Sequence, residues 1–351
     1  MPRPDRSAEI DAALLAHVAA HPRDLVRVVG NRLELTRPPV LARIRALVAA
    51  GYLEKTGTTR PVYGPGRNRR AHFRHALQGL DEDRVWRTEA APLLADLPAN
   101  VRDICHHGLT EMLNNAVDHS EGTRVQVLVD RNDQRVAMAV IDDGVGIFRK
   151  IARALDLPDE RLALLELHKG KFTTDPRHHS GEGVFFTSRM FDVFAIHSHE
   201  LVFDHRETAL DDWLFDVDRD APGTAVMMEI ALDSKRTAKE VFDRYSGGPD
   251  DYTFAKTVVP VRLAKVGDEN LVSRSQAKRL MQRVDRFRVV VLDFAEVGSI
   301  GQAFADEVFR VFANEHPGVE LVPVHANPEV QQMIRRAEVA RDADAGQLPL
   351  L

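Results

Sequence analysis

Residues 104–120 read ICHHGLTEMLNNAVDHS, and the spacing within this stretch decides how the middle of the chain folds. An apolar side chain recurs every three or four residues, at Cys105, Leu109, Met112 and Ala116. This period predicts an amphipathic helix, and it places Glu111 and Asn115 on one face. A carboxylate can orient a water molecule, and an amide oxygen is a neutral ligand suited to Mg²⁺. Taken alone, the helix would rather indicate a polar surface with no chemical task.

Three glycine-containing motifs follow this helix. The run VAMAVIDDGVGIF (136–148) predicts a strand that ends at Asp142 and is followed by Gly144 and Gly146. A carboxylate at a strand end can accept a hydrogen bond from the amino group of a base, and glycines let the backbone approach a ring or a phosphate. Gly181 and Gly183 precede a predicted helix, whose N-terminus would attract anions. The third motif, Pro222-Gly-Thr224, introduces an apolar strand over 225–230.

The order of the four motifs resembles that of the Bergerat or GHKL ATPase family, which includes gyrase, Hsp90, MutL and the sensor kinases. Glu-x-x-x-Asn on a helix, Asp-x-Gly-x-Gly after a strand, Gly-x-Gly before a helix and Gly-Thr before a strand follow in that order over residues 104–230. The resemblance implies an α/β sandwich, with a mixed sheet and helices on one face, that binds ATP and Mg²⁺.

The resemblance also assigns roles to individual residues. It implies that Asn115 ligates Mg²⁺ and that Asp142 binds the adenine amino group. In the family members that hydrolyse ATP, the residue matching Glu111 polarises the attacking water. Gly144 and Gly146 would shape the adenine pocket, and Thr224 would support the adenine. Gly181 and Gly183 would lie against the phosphates.

The segment 151–179 lies where the family has its ATP lid. Lys169, Lys171 and Arg177 are positive groups in this segment, so one of them is expected to contact the β- or γ-phosphate. Three lid charges exposed to solvent would explain the same residues equally well. A zinc site is not expected, because the histidines come with no cysteine pair and no His-Glu-x-x-His helix.

The N-terminal residues 1–70 are strongly basic. Residues 1–75 carry 14 Lys and Arg against 6 Asp and Glu, whereas the remainder carries 33 against 47. Three short predicted helices precede a hairpin, and TRPPVLARIRALVAAGYLEKTGTTRPVYGPG (36–66) resembles the recognition helix and wing of the winged helix-turn-helix regulators. That resemblance implies contacts with duplex DNA from Thr36, Arg37, Arg43, Arg45 and Arg60. The alternative is a helical docking module with solvated arginines.

The chemistry that follows ATP binding is left open by the sequence. A sensor histidine kinase needs a helical hairpin with a phosphoacceptor histidine, and residues 71–100, predicted as a connecting helix, are too short for one. His72 and His75 are therefore not expected to accept phosphate. ATP hydrolysis, transfer to a protein serine as in the anti-sigma-factor kinases, and simple ATP sensing all fit the predicted ATP-binding domain at 101–235.

A linker at 236–252 is predicted to precede a small α/β domain at 253–345, where strands and helices alternate. RVVVLDFAEVGSIGQAFADEVFRVF (288–312) resembles the STAS-like domain. Members that are phosphorylated carry an Asp-Ser pair at a helix start, which is absent here. Ser299 is the candidate phosphoacceptor, with helix capping or a turn as the alternative. The domain would bind a protein partner or a second copy of the chain, which allows a homodimer.

The whole chain is consistent with a multidomain α/β protein. It has one cysteine, which excludes a disulfide framework. No apolar run approaches the roughly 20 residues of a membrane helix, and the first residues lack the apolar core of a signal peptide. We therefore expect a cytoplasmic regulator that couples Mg·ATP to DNA binding, or alternatively an ATPase or serine kinase with two docking modules.

Overall fold

The computed structural model describes residues 6–171, 181–206, 222–248, 251–265 and 270–345. The chain forms two compact units, each made of two segments. The first comprises 1–146 and 187–237, and the second comprises 147–186 and 238–351. Residues 147–186, which lie inside the predicted ATP-binding domain, thus group with the C-terminal part of the chain. The predicted end of that domain, at 235, lies close to the end of the first unit.

The first unit begins with three helices and a hairpin, as the sequence predicts. The elements are α1 (Ser7–His17), α2 (Leu25–Leu33), α3 (Arg37–Ala49), β1 (Leu53–Thr56) and β2 (Val62–Pro65). Strands β1 and β2 pair antiparallel. Apolar side chains from all three helices and from both strands form one buried cluster, which includes Leu14, Leu25, Val40, Leu53 and Tyr63. We call these residues, 6–65, the N-terminal module.

The connecting helix predicted over 71–100 is wrong for its first part. Residues Arg69–Ala76 form strand β3, which is followed by α4 (Glu82–Val85), a π-helical turn (Trp86–Ala90) and a 3₁₀ turn (Ala91–Leu93). Burial along β3 alternates between half-buried and exposed residues, which is the period of a strand with one covered face. On the half-buried side only Ala71 and Phe73 are apolar, so the local signal for this strand is weak, and pairing with β4 over its whole length stabilises it.

Strand β3 is the edge of a six-stranded sheet. The strands are β3, β4 (Arg124–Arg131), β5 (Arg135–Asp142), β8 (Ala225–Ala231), β6 (Val193–Ser198) and β7 (Leu201–Arg206), in that spatial order. Every pairing is antiparallel, so the predicted mixed sheet is wrong. Short turns join β4 to β5 and β6 to β7, and a short turn can connect only antiparallel neighbours.

Helix α5 (Ala99–His119) packs against β5 and β8 of this sheet. All four residues of the predicted apolar stripe are buried, and the helix also buries Val101, Ile104, Gly108 and Leu113. Gly108 permits the close approach, because a Cβ there would lie 2.5 Å from the ring of Phe191. The C-terminal end of α5 lies beside the loop that follows β5, because the Val145 N–H donates to the Ser120 carbonyl oxygen (2.9 Å).

The second unit contains a three-stranded parallel sheet, in the order β11 (Lys256–Pro260), β12 (Val289–Asp293), β13 (Glu320–Val324). The alternation of strands and helices predicted for 253–345 is thus observed. The helices and remaining strands of this unit are α6 (Ile147–Ala154), α7 (Leu162–Lys169), the first half of α8 (Gly183–Met190), α9 (Ala238–Tyr245), β9 (Ser246–Gly248), β10 (Asp251–Phe254), α10 (Arg274–Met281), α11 (Gln302–Asp306), α12 (Ala313–Glu315) and α13 (Pro328–Ala345).

Two details of the second unit differ from the prediction or add to it. The linker predicted over 236–252 contains helix α9, strand β9 and the first two residues of β10, with which β9 pairs. A π-helical stretch, Glu307–Phe312, joins α11 to α12. In the part of the chain that the structure describes, no helix combines the length and apolar character needed to cross a membrane.

Candidate nucleotide-binding site

Asp142 lies at the end of β5, where this strand meets the start of β8. Its side chain is 8% exposed. Oδ1 accepts hydrogen bonds from the main-chain N–H groups of Gly144 (2.9 Å) and Thr224 (3.2 Å), and the Asp142 N–H donates to the Thr224 carbonyl (2.9 Å). Among the described residues no group donates to Oδ2. The second carboxylate oxygen is therefore the acceptor that the fold leaves for a ligand.

Burial raises the pKa of Asp142 to about 6, although the N–H groups of Gly144 and Thr224 oppose this change. A buried carboxylate without a cation costs free energy, so it gains from any donor placed at Oδ2. An exocyclic amino group of a purine is such a donor. The residues present thus fit the adenine end of a nucleotide.

The neighbouring Asp143 has a different task. Its Oδ1 accepts from the N–H groups of Thr123 (2.7 Å) and Arg124 (2.9 Å), and its Oδ2 accepts from the Thr123 hydroxyl (2.8 Å). Burial alone would raise the pKa of Asp143, but these hydrogen bonds outweigh it and lower the pKa. Asp143 fastens the turn before β4, which leaves Asp142 as the carboxylate available to a ligand.

The glycines of the site are required by the packing of the chain itself. A Cβ on Gly144 would lie 2.1 Å from the Ser120 carbonyl oxygen, at the end of α5. Gly146 has a φ of +88°, and a Cβ there would lie 2.4 Å from the Ser198 hydroxyl. A Cβ on Gly223, with a φ of +97°, would lie 2.1 Å from the Asp142 carbonyl oxygen. Contact of Gly144 or Gly146 with adenine stays a prediction.

Two residues at this end of the sheet were not singled out from the sequence. The buried Ser198 donates from its hydroxyl to the Gly223 carbonyl (2.8 Å). His199, with a φ of +52°, places Nε2 3.3 Å from the Val145 carbonyl oxygen. Both hold the glycine loops in place. A serine as the last residue of an apolar strand carries no signal for this role, because its partner lies 25 residues later.

On α5, Glu111 and Asn115 are half-buried and lie on the predicted common face, whereas Asp118 is exposed. The Asn115 amide nitrogen lies 4.0 Å from the Met112 sulfur. No described residue donates to the Asn115 amide oxygen, so this neutral oxygen fits a Mg²⁺ ligand. Its role as a metal ligand, and that of Glu111 toward water, stay predictions. Within the described ranges no group of three or more His, Cys, Asp or Glu side chains could hold a metal ion.

Lys169 and Lys171, in the second unit, are engaged with protein groups. Lys169 is 1% exposed, and its ammonium donates to Glu166 (2.7 Å) and to the carbonyl oxygens of Arg279 (3.1 Å) and Gln282 (3.0 Å). Lys171 donates to the Arg286 carbonyl oxygen (3.1 Å). Phosphate binding by either lysine stays a prediction, but each would first have to leave these partners.

The predicted phosphate-binding glycines also lie in the second unit. Gly183 is the first residue of α8, as expected, and Gly181 has a φ of +72°. Arg177 lies outside the described residues. Ser299 is exposed in the segment between β12 and α11, and Gly301 is the N-cap of α11. The alternative in which Ser299 caps this helix is therefore wrong, while its phosphorylation stays a prediction.

The residues predicted to contact DNA differ in their surroundings. Thr36 is the N-cap of α3, and it is exposed, as are Arg37, Arg45 and Arg60. Arg43 is only half-exposed, and it binds Asp11 through two hydrogen bonds, of 2.8 and 2.5 Å. This ion pair joins α3 to α1, which makes Arg43 a structural residue of the N-terminal module in this structure.

Comparison with known families agrees with the central and C-terminal parts of this description. The model of the histidine kinase-, DNA gyrase B-, and HSP90-like ATPase family matches residues 100–232. The model of the STAS-like domain of unknown function (DUF4325) matches residues 276–331. No curated protein matches the chain. The chain therefore contains a GHKL-type ATPase domain, which suggests ATP binding, and a STAS-like domain; neither match reaches the N-terminal module.

Proposed function

We propose that the protein binds Mg·ATP in the GHKL-type domain and uses the bound state to regulate DNA binding by its N-terminal module. The observation that carries the nucleotide part is the buried Asp142 carboxylate, because Oδ1 is held by two N–H groups and Oδ2 has no described donor. In this proposal Oδ2 accepts from the adenine amino group, Thr224 supports the base, and Asn115 holds Mg²⁺. Bound Mg²⁺ would neutralise the phosphate charge. Calorimetric titration of the full chain with ATP in magnesium buffer tests the proposal.

The pH dependence of base binding follows from the raised pKa of Asp142. Below about pH 6 the folded protein carries the neutral acid, which is the weaker acceptor. We expect the affinity for adenosine to rise about tenfold from about pH 5 to 7 and then to level off, as the carboxylate fraction does. Adenosine is the right probe because it lacks phosphates that titrate in this range. A flat profile would contradict the assignment.

The same group makes an opposite contribution to folding. Because its pKa is raised in the folded state, Asp142 stabilises the fold below its ordinary pKa of 3.8, and this contribution is lost as the pH rises through about 6. Nucleotide affinity and the stability contributed by Asp142 therefore change in opposite directions with pH. If nucleotide affinity and the free energy of unfolding instead fell together as the pH is lowered, general unfolding would explain the loss of affinity.

Glu111 separates binding from chemistry. We expect Glu111→Ala to bind Mg·ATP with the affinity of the parent but to lose any ATP turnover that the parent shows. The reason is that this half-buried carboxylate on α5 is proposed to orient water and not to bind the base. Labelled ATP provides the measurement. Release of free phosphate by the parent indicates hydrolysis, whereas retained binding without turnover in the parent indicates a sensor.

A serine kinase is the second candidate, and the exposed side chain of Ser299 favours it. Incubation with γ-labelled ATP would place the label on Ser299 or on an added protein partner, and Ser299→Ala would remove only the self-labelling. The STAS-like domain would then be the receiver of the phosphoryl group. In the regulatory proposal it binds a protein partner or a second copy of the chain.

The DNA part of the proposal is supported by the basic N-terminal module and by its attachment to the nucleotide-binding sheet. The Tyr52 hydroxyl donates to Asp130 Oδ1 (2.9 Å), and Arg70 Nε donates to Oδ2 (2.5 Å). Burial, followed by the Asp130 charge, raises the pKa of Tyr52 to about 12, so the hydroxyl stays a donor. Asp130 lies on β4, which pairs with β5 along its length up to Asp142. Asp130 is paired with Ala137, five residues along β5 from Asp142, and we propose that this strand pair couples the nucleotide site to the module.

A further inference from the structure

We propose that the N-terminal module holds a phosphate of duplex DNA in a groove beside α2, rather than on the outward face of α3. This inference rests on the proposed DNA binding and names the residues that carry it. The groove has a volume of about 880 Å³ and lies between α2, the start of α3 and the start of β2. Four arginines line it: Arg23, Arg27, Arg37 and Arg60.

The charge of the groove is strongly positive. Its one acidic lining residue is Asp24, which forms an ion pair with Arg27 and lies 3.3 Å from Nδ1 of the His21 ring. Arg23, Arg37 and Arg60 form no ion pair with any described residue, and all three are exposed. Three uncompensated guanidinium groups around one concave surface attract an anion, and the guanidinium fork matches phosphate oxygens.

The start of α3 adds to this positive potential. Arg37 is the first residue of this 13-residue helix, and the hydroxyl of Thr36 at the N-cap makes no capping hydrogen bond. Pro38 and Pro39 follow Arg37 and have no N–H group, so this helix start offers an anion the Arg37 N–H and the positive end of the helix dipole. Both Leu35 and Arg37 line the groove, so the positive end of the helix opens onto it.

The outward face of α3 is a weaker candidate than the sequence indicates. Arg43 is held by Asp11, which is 7% exposed, so its charge is already neutralised. Of Arg43 and Arg45, only Arg45 is exposed. Apolar groups of Val26, Leu35 and Val62 also line the groove, and they would pack against a sugar attached to the bound phosphate. The groove therefore offers both the charge and the shape that a nucleic-acid backbone requires.

The test uses the full chain and fluorescence anisotropy with a labelled duplex of random sequence. We expect Arg23→Gln and Arg60→Gln each to weaken binding about tenfold at low salt and to lower the salt slope by about 0.9, the value for one lost phosphate contact. Arg45→Gln, on the outward face of α3, should change the affinity for the duplex by no more than about twofold and leave the salt slope unchanged. Arg244→Gln, an exposed arginine in the second unit, is the matched control.

Each outcome decides the proposal. If the parent binds the duplex and Arg45→Gln weakens it while Arg23→Gln and Arg60→Gln do not, the groove assignment is wrong but DNA binding stands. If the parent has no affinity for the duplex at low salt, DNA binding and the groove assignment both fall. If Arg23→Gln abolishes binding of inorganic pyrophosphate and leaves duplex binding unchanged, the groove is a site for a free anion. Circular dichroism of each variant checks that the fold is retained.

Discussion

Replacing Asp142 by Asn is expected to reduce the affinity for Mg·ATP at least about 100-fold, a loss of roughly 3 kcal/mol. In the variant, the amide oxygen would take the place of Oδ1 and keep the N–H groups of Gly144 and Thr224. The amide nitrogen would then occupy the position of Oδ2. The amide NH₂ group of the variant would then face the amino group of the base. Both groups are donors, so the hydrogen bond is lost and two donors are left unpaired in a buried site.

The stability of this variant separates loss of the site from loss of the fold. Because burial disfavours the charged carboxylate, Asp142→Asn should be at least as stable as the parent above about pH 7. Asp133→Asn, in the exposed turn between β4 and β5, is the matched control and should bind Mg·ATP like the parent. Equal affinity of the Asp142 variant and the parent, measured by calorimetry, would refute the adenine assignment.

The second large effect is expected at Glu166, in the second unit. Glu166 is 2% exposed and binds two cations, the Lys169 ammonium at 2.7 Å and the Arg283 guanidinium at 2.9 Å. Glu166→Gln would remove the carboxylate that both positive groups share, and it would leave the buried Lys169 ammonium beside a neutral amide. Breaking a buried pair in this way costs about 3–5 kcal/mol, so urea unfolding should shift to a clearly lower midpoint.

Lys169→Met provides the contrast. The variant removes one buried cation while Arg283 continues to neutralise Glu166, and the methionine side chain fills a similar volume, so the free energy of unfolding should fall less than in Glu166→Gln. Lys169→Met also tests the predicted phosphate contact of this lysine. If the variant remains folded and loses affinity for ATP but not for adenosine, the lysine contacts phosphate and must leave Glu166, Arg279 and Gln282 to do so. Equal unfolding midpoints of the two variants would contradict the proposed charge balance.

Much of the nucleotide site could be predicted because its signals are local. The period of α5, the strand ending at Asp142 and the glycine turns each occupy a short stretch of sequence, and the family model matches the same region. The local sequence pattern does not show which of Asp142 and Asp143 is left for a ligand and which holds the turn before β4. Asp142 and Asp143 are chemically identical neighbours, and only their distant partners, Thr224 and Thr123, distinguish them.

Other features depend on contacts between residues far apart in sequence. Arg43 resembled a DNA contact because it lies on α3 near other arginines, but its partner Asp11 lies 32 residues earlier. Lys169 looked like a lid charge, but its partners Arg279 and Gln282 lie more than 100 residues later. The position of β8 between β5 and β6 likewise joins strands that are far apart in sequence, and no local pattern reveals it.

The grouping of residues 147–186 with the C-terminal half limits how the gene could be shortened. A protein ending after Thr237 would keep every motif of the ATPase stretch, yet Lys169 would lose the carbonyl groups of Arg279 and Gln282, and Glu166 would lose Arg283. Such a fragment would expose the mainly apolar helix α7, whose buried residues include Leu162, Leu165 and Leu167, and we expect it to aggregate more readily than the full chain. We therefore expect the ATPase stretch to unfold more readily without the tail than within the full chain.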